Sequence, residues 1–340
     1  MPPIAPTRSR FLSTLRAARF ARSPIRHLAG VVTVVVTLAA FDLPPAAGQE
    51  PAWLATIGGY GSTTGRFAYP HHMAISPATG NLYVGDLLNH RVQVLTSTGA
   101  FVRQWPLSNA DGIAVGRQDT VYALSMHQVF KFTSTGTLVT SWGGFGTGDG
   151  QFNYAMDVGV DSQGYVYVID GQNRRVQKFN AAGTFLTKWG SQGSGPGQFE
   201  GPFGLYVDAD DDIWVSDGWN HTVQEFDSNG LRLSGFGTQG TGPGQWDSPG
   251  RLCIDGDGRV LVPDAGNGRV QAYTQQGQFL LQWGAPGANA AQFNHPLAVS
   301  TDGAGTVYVL DKDNHRIQKF ASVATPARKT SWGALKSSFR

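Results

Sequence analysis

A chain of 340 residues with 45 glycines, 18 prolines, 15% charged residues and one cysteine, Cys253, is unlike a helical or coiled-coil protein. Glycine far above its usual share of roughly 7% would fit disorder, but 41% hydrophobic and 11% aromatic residues supply enough apolar surface to offset chain entropy, and the lone thiol excludes an internal disulfide and a multi-cysteine zinc site. The charge is divided: residues 1–48 carry six Arg and one acid, the segment after Phe320 carries four basic residues and no acid, and residues 49–320 hold 16 basic against 23 acidic side chains, a net −7 that argues against a nucleic-acid phosphate footprint.

The first element is an address. Arg8, Arg10, Arg16, Arg19, Arg22 and Arg26 precede an apolar run from Leu28 to Phe41, followed by Pro44, Pro45 and small residues. This is the layout of a secretory signal peptide, and the compact apolar run suits export better than an organelle transit peptide. As a helix the run reaches about 21 Å at 1.5 Å per residue, short of a bilayer core of about 30 Å, so no permanent membrane span is expected. Ala46 and Gly48 fit the small residues before a cleavage point, which places cleavage before Gln49 and the mature protein in a secreted or periplasmic location. No cysteine follows the run, so bacterial lipidation is excluded.

From Asn81 onward one pattern recurs: an apolar strand ending in Asp, a turn with Asn, a strand beginning Arg-Val-Gln, a Gly turn, and an aromatic strand ending Trp-Gly. The strand-end positions are Asp86, Ser125, Asp170, Asp217, Asp264 and Asp311, spaced 39, 45, 47, 47 and 47. A further strand precedes each copy, as at Leu205 to Val207. Six copies of about 45 residues, each with four short strands of period-2 alternation, predict an all-β fold: a six-bladed β-propeller of four-stranded antiparallel blades. Trp53 to Gly58 matches the outer strand Phe185 to Gly190 yet precedes the first complete copy. The sixth copy lacks the hairpin glycine and carries Pro326 instead, so the N-terminal strand is expected to close blade six. The organisation is then a signal peptide over 1–48, a propeller over 49–320 and a basic tail over 321–340, with Trp332 a spare or swapped strand.

The copies resemble the NHL repeat, named for its Asn-His-Leu triplet, through Asn89-His90-Arg91, Asn220-His221-Thr222 and Asn314-His315-Arg316. The resemblance covers all six units. It implies a six-bladed propeller used mostly as an interaction surface, sometimes as an extracytoplasmic sensor, and in one branch as a lyase. That branch, peptidyl-hydroxyglycine α-amidating lyase, holds an axial zinc through histidines that follow Pro in alternate blades. Pro70-His71 fits; the equivalents Met156 and Gly250 do not, so the three protein ligands of a catalytic zinc are incomplete.

Recurrent features read as architecture. The Gly-rich strings, Gly143 to Phe152 for example, recur between matching strands and are blade crossings rather than phosphate loops. Asp86 with Arg91 and its equivalents are strand-end pairs holding a turn, in which Asn tolerates a left-handed backbone and His90, His221 and His315 are turn residues. Asp208 and Asp210 to Asp212 form an acidic hairpin that could take calcium, but Ile213 and Trp219 stand where an EF-hand needs Gly and Glu, and a solvated turn is expected. Cys253, in an inner strand, is expected to be buried and inert.

Departures from the repeat mark the candidate site. At the mouth of the axial channel small or apolar residues are expected, yet His71, His72, Asp111, Asp157 and Arg251 occupy those positions, with Phe203 in the equivalent place of blade four. A solvated channel lining is the plain reading; adjacent histidines on a strand point to opposite faces, so His71 and His72 are not expected to act together. Leu87, Leu88, Met126, His127 and Trp219 surround the mouth, giving a polar centre with an apolar rim. The opposite, acidic face is expected to be unliganded. The expected function is a non-catalytic platform that binds a protein, peptide or envelope polymer through the crossing face, with His71, His72, Asp111, Asp157, Phe203, Trp219 and Arg251 as ligand-binding residues, no nucleic-acid partner and no cofactor, zinc and calcium being the candidates otherwise. The alternative is a lyase or hydrolase with an axial site, in which Arg251 steadies an anion and His71 or His72 is the base or ligand.

Overall fold

The computed structural model describes residues 49–322; the leader over 1–48 and the tail from 323, Trp332 included, lie outside the described residues. Six four-stranded antiparallel sheets form the blades of a propeller. Blade one comprises Pro70–Ile75, Leu82–Asp86, Arg91–Leu95 and Phe101–Pro106, and blades two to five repeat this order. Blade six takes Pro296–Thr301, Val307–Asp311 and Arg316–Phe320 and is completed by Trp53–Gly58, which runs antiparallel to the last of these with Ile57 opposite Ile317. The closing strand is therefore the N-terminal one, as its likeness to Phe185–Trp189 predicts. Among the described residues no helix is long and apolar enough to cross a membrane.

Burial explains why the middle strands read as nearly continuous apolar runs. Val166–Asp170 is buried at every position, because alternate residues serve two interfaces: Val166 and Val168 pack with Tyr122 and Leu124 of blade two, while Tyr167 and Ile169 pack with Leu205 and Val215 of blade four. Each such side chain contributes roughly 1.5–3 kcal/mol. Outer strands such as Phe185–Trp189 bury one face only, and their burial alternates.

The strand-end Asp anchors the blade crossing. In blade one Asp86 accepts from Ala68 N, Asn89 Nδ2, Arg91 Nε and Gln93 Nε2. Arg91 Nη2 donates to Thr63 O and Arg66 O, and Asn89 Nδ2 to Gly61 O, so every arm of the cluster reaches the crossing loop. The same set recurs around Asp170, Asp264 and Asp311. Blade two lacks it: Ser125, Gln128 and Phe130 stand in for Asp, Arg and Gln, because only residues 107–109 separate its first strand from blade one and there is no long loop to hold.

The left-handed turn residue is the one after Asn: His90, Arg174, His221 and His315 all have φ between 52° and 55°. Asn is needed for its amide, not for its backbone, which corrects the reading above. The histidine also has a second task. His315 Nδ1 accepts the N–H of Tyr69 at 3.1 Å across the blade six to blade one junction, and His90, His127 and His221 do the same for Asn109, Tyr154 and Ser248. Where Arg174 takes this place, Gly201 N turns to Asp217 instead. Since glycine adopts φ > 0 freely, His315→Gly removes the hydrogen bond without straining the turn and is expected to cost about 1 kcal/mol. Arg174→Gly should stay within about 0.5 kcal/mol of the parent. Urea unfolding of the two variants checks this, and equal losses would exclude the inter-blade role.

Candidate functional site

The axial residues converge through a bulge at the start of the innermost strand in blades one, two, three, four and six and a change of sheet in blade five. In blade one the register slips between Pro70, opposite Asp86, and His72, opposite Gly85. This bulge at His71 brings both histidines to the axial cluster, where regular alternation would have separated them. In blade five the pairing with the second strand is interrupted between Pro249, opposite Asp264, and Cys253, opposite Leu261. Between them, Arg251 N donates to Leu297 O at 2.8 Å and Arg251 O accepts from Val299 N at 3.1 Å, so the segment leaves its own sheet for the innermost strand of blade six. The detour requires Gly250, whose Cβ would stand 2.4 Å from Leu297 O, and Gly204, whose Cβ would stand 2.6 Å from Arg251 Cα.

From this position the Arg251 guanidinium ties together three other blades. Nη1 donates to His71 O at 3.0 Å; Nη2 donates to Asp111 Oδ1 at 2.9 Å and to Met156 O at 2.6 Å; Nε lies 3.4 Å from Asp157 Oδ2. Phe203 of blade four lies under the guanidinium, its ring centroid 4.4 Å from Cζ. Asp157 also accepts Val158 N and Leu205 N. His72 Nδ1 accepts the Ile113 amide at 3.0 Å, which puts its proton on Nε2, 3.4 Å from Asp157 Oδ1. His71 Nδ1 donates to Asp111 Oδ1 at 2.6 Å.

These groups are not a solvated lining: Arg251 is 2% exposed and Asp157 not at all, with Asp111 and His72 buried beside them. Arg251 contacts both carboxylates, yet one guanidinium balances only one of them, and the other is met by amides and by its own upward shift. Burial, then the charges of Arg251 and His71, hold His72 well below the ordinary histidine range. Burial pushes Asp157 up to about 7, which Arg251 and the two amides only partly offset. For Asp111 burial also acts upward, but His71 and Arg251 outweigh it and hold the carboxyl below its usual range.

The donor set does not fit a zinc ion. A guanidinium occupies the centre, His72 Nδ1 is taken by a backbone amide, and Asp157 accepts two more. Elsewhere among the described residues, Asp208, Asp212 and Glu225 bring ligand atoms within 4.8 Å of one another. Asp208 there serves the turn, accepting Asp210 N, Asp212 N and Trp214 Nε1. Burial and the neighbouring acids raise Asp212 to about 6. Cys253 is buried, and its thiol is pushed up by that burial.

The network divides the seven candidate residues. His71, Phe203 and Trp219 line a cavity of about 220 Å³ on the crossing face, together with His295, Leu297 and Lys312. Asp111 and Asp157 lie within the network, while His72 and Arg251 also border a larger cavity of about 470 Å³ on its other side, walled by Ile75, Val115, Val160 and Val207. That cavity reaches the hairpins Ser76–Pro77 and Thr301–Gly303, so the wider opening is on the acidic face. The rim of the crossing face is more aromatic than the sequence reading had it. Leu88, Met126 and Trp219 are exposed, and so are Tyr60 and Tyr69, 4.9 and 4.8 Å from the His315 ring, and Phe145 and Tyr154, 5.1 and 6.1 Å from His127. For Tyr60 and Phe145 the signal in the sequence was an aromatic directly after the Gly pair that opens each of those two crossings, Gly58-Gly59 and Gly143-Gly144.

The family model of the NHL repeat matches residues 199–226 and 293–320, the first three strands of blades four and six with the crossing residues before them. The chain thus carries NHL repeats on a six-bladed propeller. No curated protein matches it. Among solved structures, a catalytically inactive virginiamycin B lyase from Staphylococcus aureus with quinupristin is similar at 14% identity and a TM-score of 0.54, over 74% of this chain and 80% of that one. A gluconolactonase from Xanthomonas campestris is similar at 15% and 0.58, over 82% and 99%. A Bacteroides thetaiotaomicron protein of unknown function is similar at 18% and 0.60, over 78% and 76%. Likeness at these identities is likeness of fold.

Proposed function

We propose that this chain is an exported propeller that works as a binding platform, taking a protein, peptide or envelope polymer on its crossing face. The observation that carries the reading is the set of exposed aromatic and apolar side chains on that face, Tyr60 at 74%, Phe145 at 70%, Trp219 at 64% and Leu88 at 56%, around a cavity with polar groups at its floor. Apolar groups clustered on one face of a soluble protein mark an interaction surface. The Arg-rich leader before Gln49 supports export, and the −7 charge of the body disfavours nucleic acid. Trp219→Ala, unchanged in thermal stability, is expected to weaken binding to arrayed peptides and cell-envelope polysaccharides at least tenfold, as loss of an aromatic anchor does. Unaltered binding would overturn the platform.

A second reading has one contact in its favour. His71, held by Asp111 at 2.6 Å and facing the cavity, has the arrangement of a base positioned by a carboxylate. A lyase or hydrolase would use His71 to move a proton, and two of the structural relatives are named as a lyase and a gluconolactonase.

A further inference from the structure

The cavity on the crossing face has the opposite polarity to the rest of the body. Its titratable lining residues are His71, His295 and Lys312, and no carboxylate lines it among the described residues, although residues 49–320 carry net −7. Two acids stand close by without lining it. Asp111 is bonded to His71 and Arg251, and Asp313 lies 3.4 Å from Lys312 Nζ and 4.0 Å from His295 Nδ1. Arg251 adds a further positive charge beneath Phe203. Burial and then the charge of Lys312 hold His295 below its ordinary range, with Asp313 acting the other way. The walls are apolar and fixed: Phe203 and Leu297 are held by the axial packing, and the Trp219 indole lies against Gly201, where a Cβ would stand 2.7 Å from Cγ.

A small cavity lined by His71, His295 and Lys312 beside the aromatic side chains of Phe203 and Trp219 selects an anion joined to an apolar group. We propose that it captures the C-terminal carboxylate of a peptide whose last residue is apolar or aromatic, with Lys312 and His71 beside the carboxylate and Trp219 and Phe203 against the side chain. This rests on the platform reading and names its ligand chemistry. The volume of about 220 Å³ matches one terminal residue better than a folded segment.

The test compares fluorescein-labelled Ala-Ala-Phe carrying a free C-terminus with the same peptide as its C-terminal amide, by fluorescence anisotropy at pH 7 and low salt, with 3-phenylpropionate as competitor. The free acid is expected to bind at least tenfold more tightly than the amide, with the preference shrinking as salt is raised. Lys312→Met should remove the preference, Lys312→Arg should keep it, and Trp219→Ala should weaken both peptides. Displacement by 3-phenylpropionate as potent as the unlabelled tripeptide acid would overturn the peptide assignment in favour of a small organic acid. Equal affinity for acid and amide, still dependent on Trp219, would overturn the carboxylate assignment and leave the platform standing. Binding of neither peptide would overturn the inference, while the platform is judged by the array measurement with Trp219→Ala.

Discussion

Arg251→Met is expected to lower the unfolding free energy by about 3–5 kcal/mol at pH 8, the usual cost of stranding buried charge by removing its partner. Methionine keeps much of the volume, so the loss reports charge rather than a cavity. Asp111 would retain only His71, and Asp157 its two amides and His72 Nε2 at 3.4 Å, all of them neutral donors. Because Asp157 already titrates near 7 with the guanidinium present, it takes up a proton readily without it, and the penalty should shrink at pH 5, where the neutral carboxyl no longer needs a cation. For a domain of this size the loss at pH 8 corresponds to a fall in Tm of about 10 °C. Urea unfolding of parent and variant at pH 5 and 8 measures both parts. A small, pH-independent loss would mean that the axial ions are solvated after all.

His72→Asn, which keeps an acceptor for the Ile113 amide, should change how stability depends on pH. In the unfolded chain His72 takes a proton below about 6.5; in the fold it stays neutral well below that. The unfolded state therefore binds the extra proton, and the His72 contribution to stability is lost as pH falls through 6.5. Asp157 runs the other way. Its pKa is about 7 folded and about 3.9 unfolded, so the native state binds the extra proton and stability is lost as pH rises from 4 to 7. Each slope is about 1.4 kcal/mol per pH unit, and the two oppose each other below pH 6.5. Asp111, held low, acts at lower pH still. Removing His72 leaves Asp157 unopposed. The stability difference between variant and parent is expected to grow by about 1.4 kcal/mol per pH unit as pH rises toward 6.5 and then to level off. A difference that does not vary with pH would show that His72 titrates in the fold as it does in the open chain.

The fold was legible because each blade spells out its turn and crossing chemistry locally. Asp, Asn, Arg and Gln act within one blade and the loop beside it, and their joint loss in blade two accompanies a three-residue crossing. The closing strand was legible through its likeness to other outer strands. The site was legible only as a list of misplaced polar residues. That His71 and His72 converge depends on a bulge, and that Arg251 reaches three blades depends on a segment changing sheets at Gly250, neither of which periodicity reveals. The contribution of Tyr69 and His295 was hidden for another reason. They share one repeat position, two residues after the crossing aromatic, but Tyr154, Gly201 and Ser248 hold it in the other blades, so no residue type marks it, and Tyr69 meets its partner His315 only when the ring closes, 246 positions along the chain.

That closure has a kinetic meaning. Trp53 and Phe320 are joined across nearly the whole described chain, and bringing ends so distant together costs about 5 kcal/mol of loop entropy before any contact between them is made. Five blades can assemble from neighbouring segments, whereas the sixth needs Trp53–Gly58 brought to Arg316–Phe320, so the ring completes only after residue 320 is available. The same strand bears on loss of the fold: only while Trp53–Gly58 stays paired does blade six have its fourth strand, so its detachment opens the ring at the one joint that chain continuity does not hold.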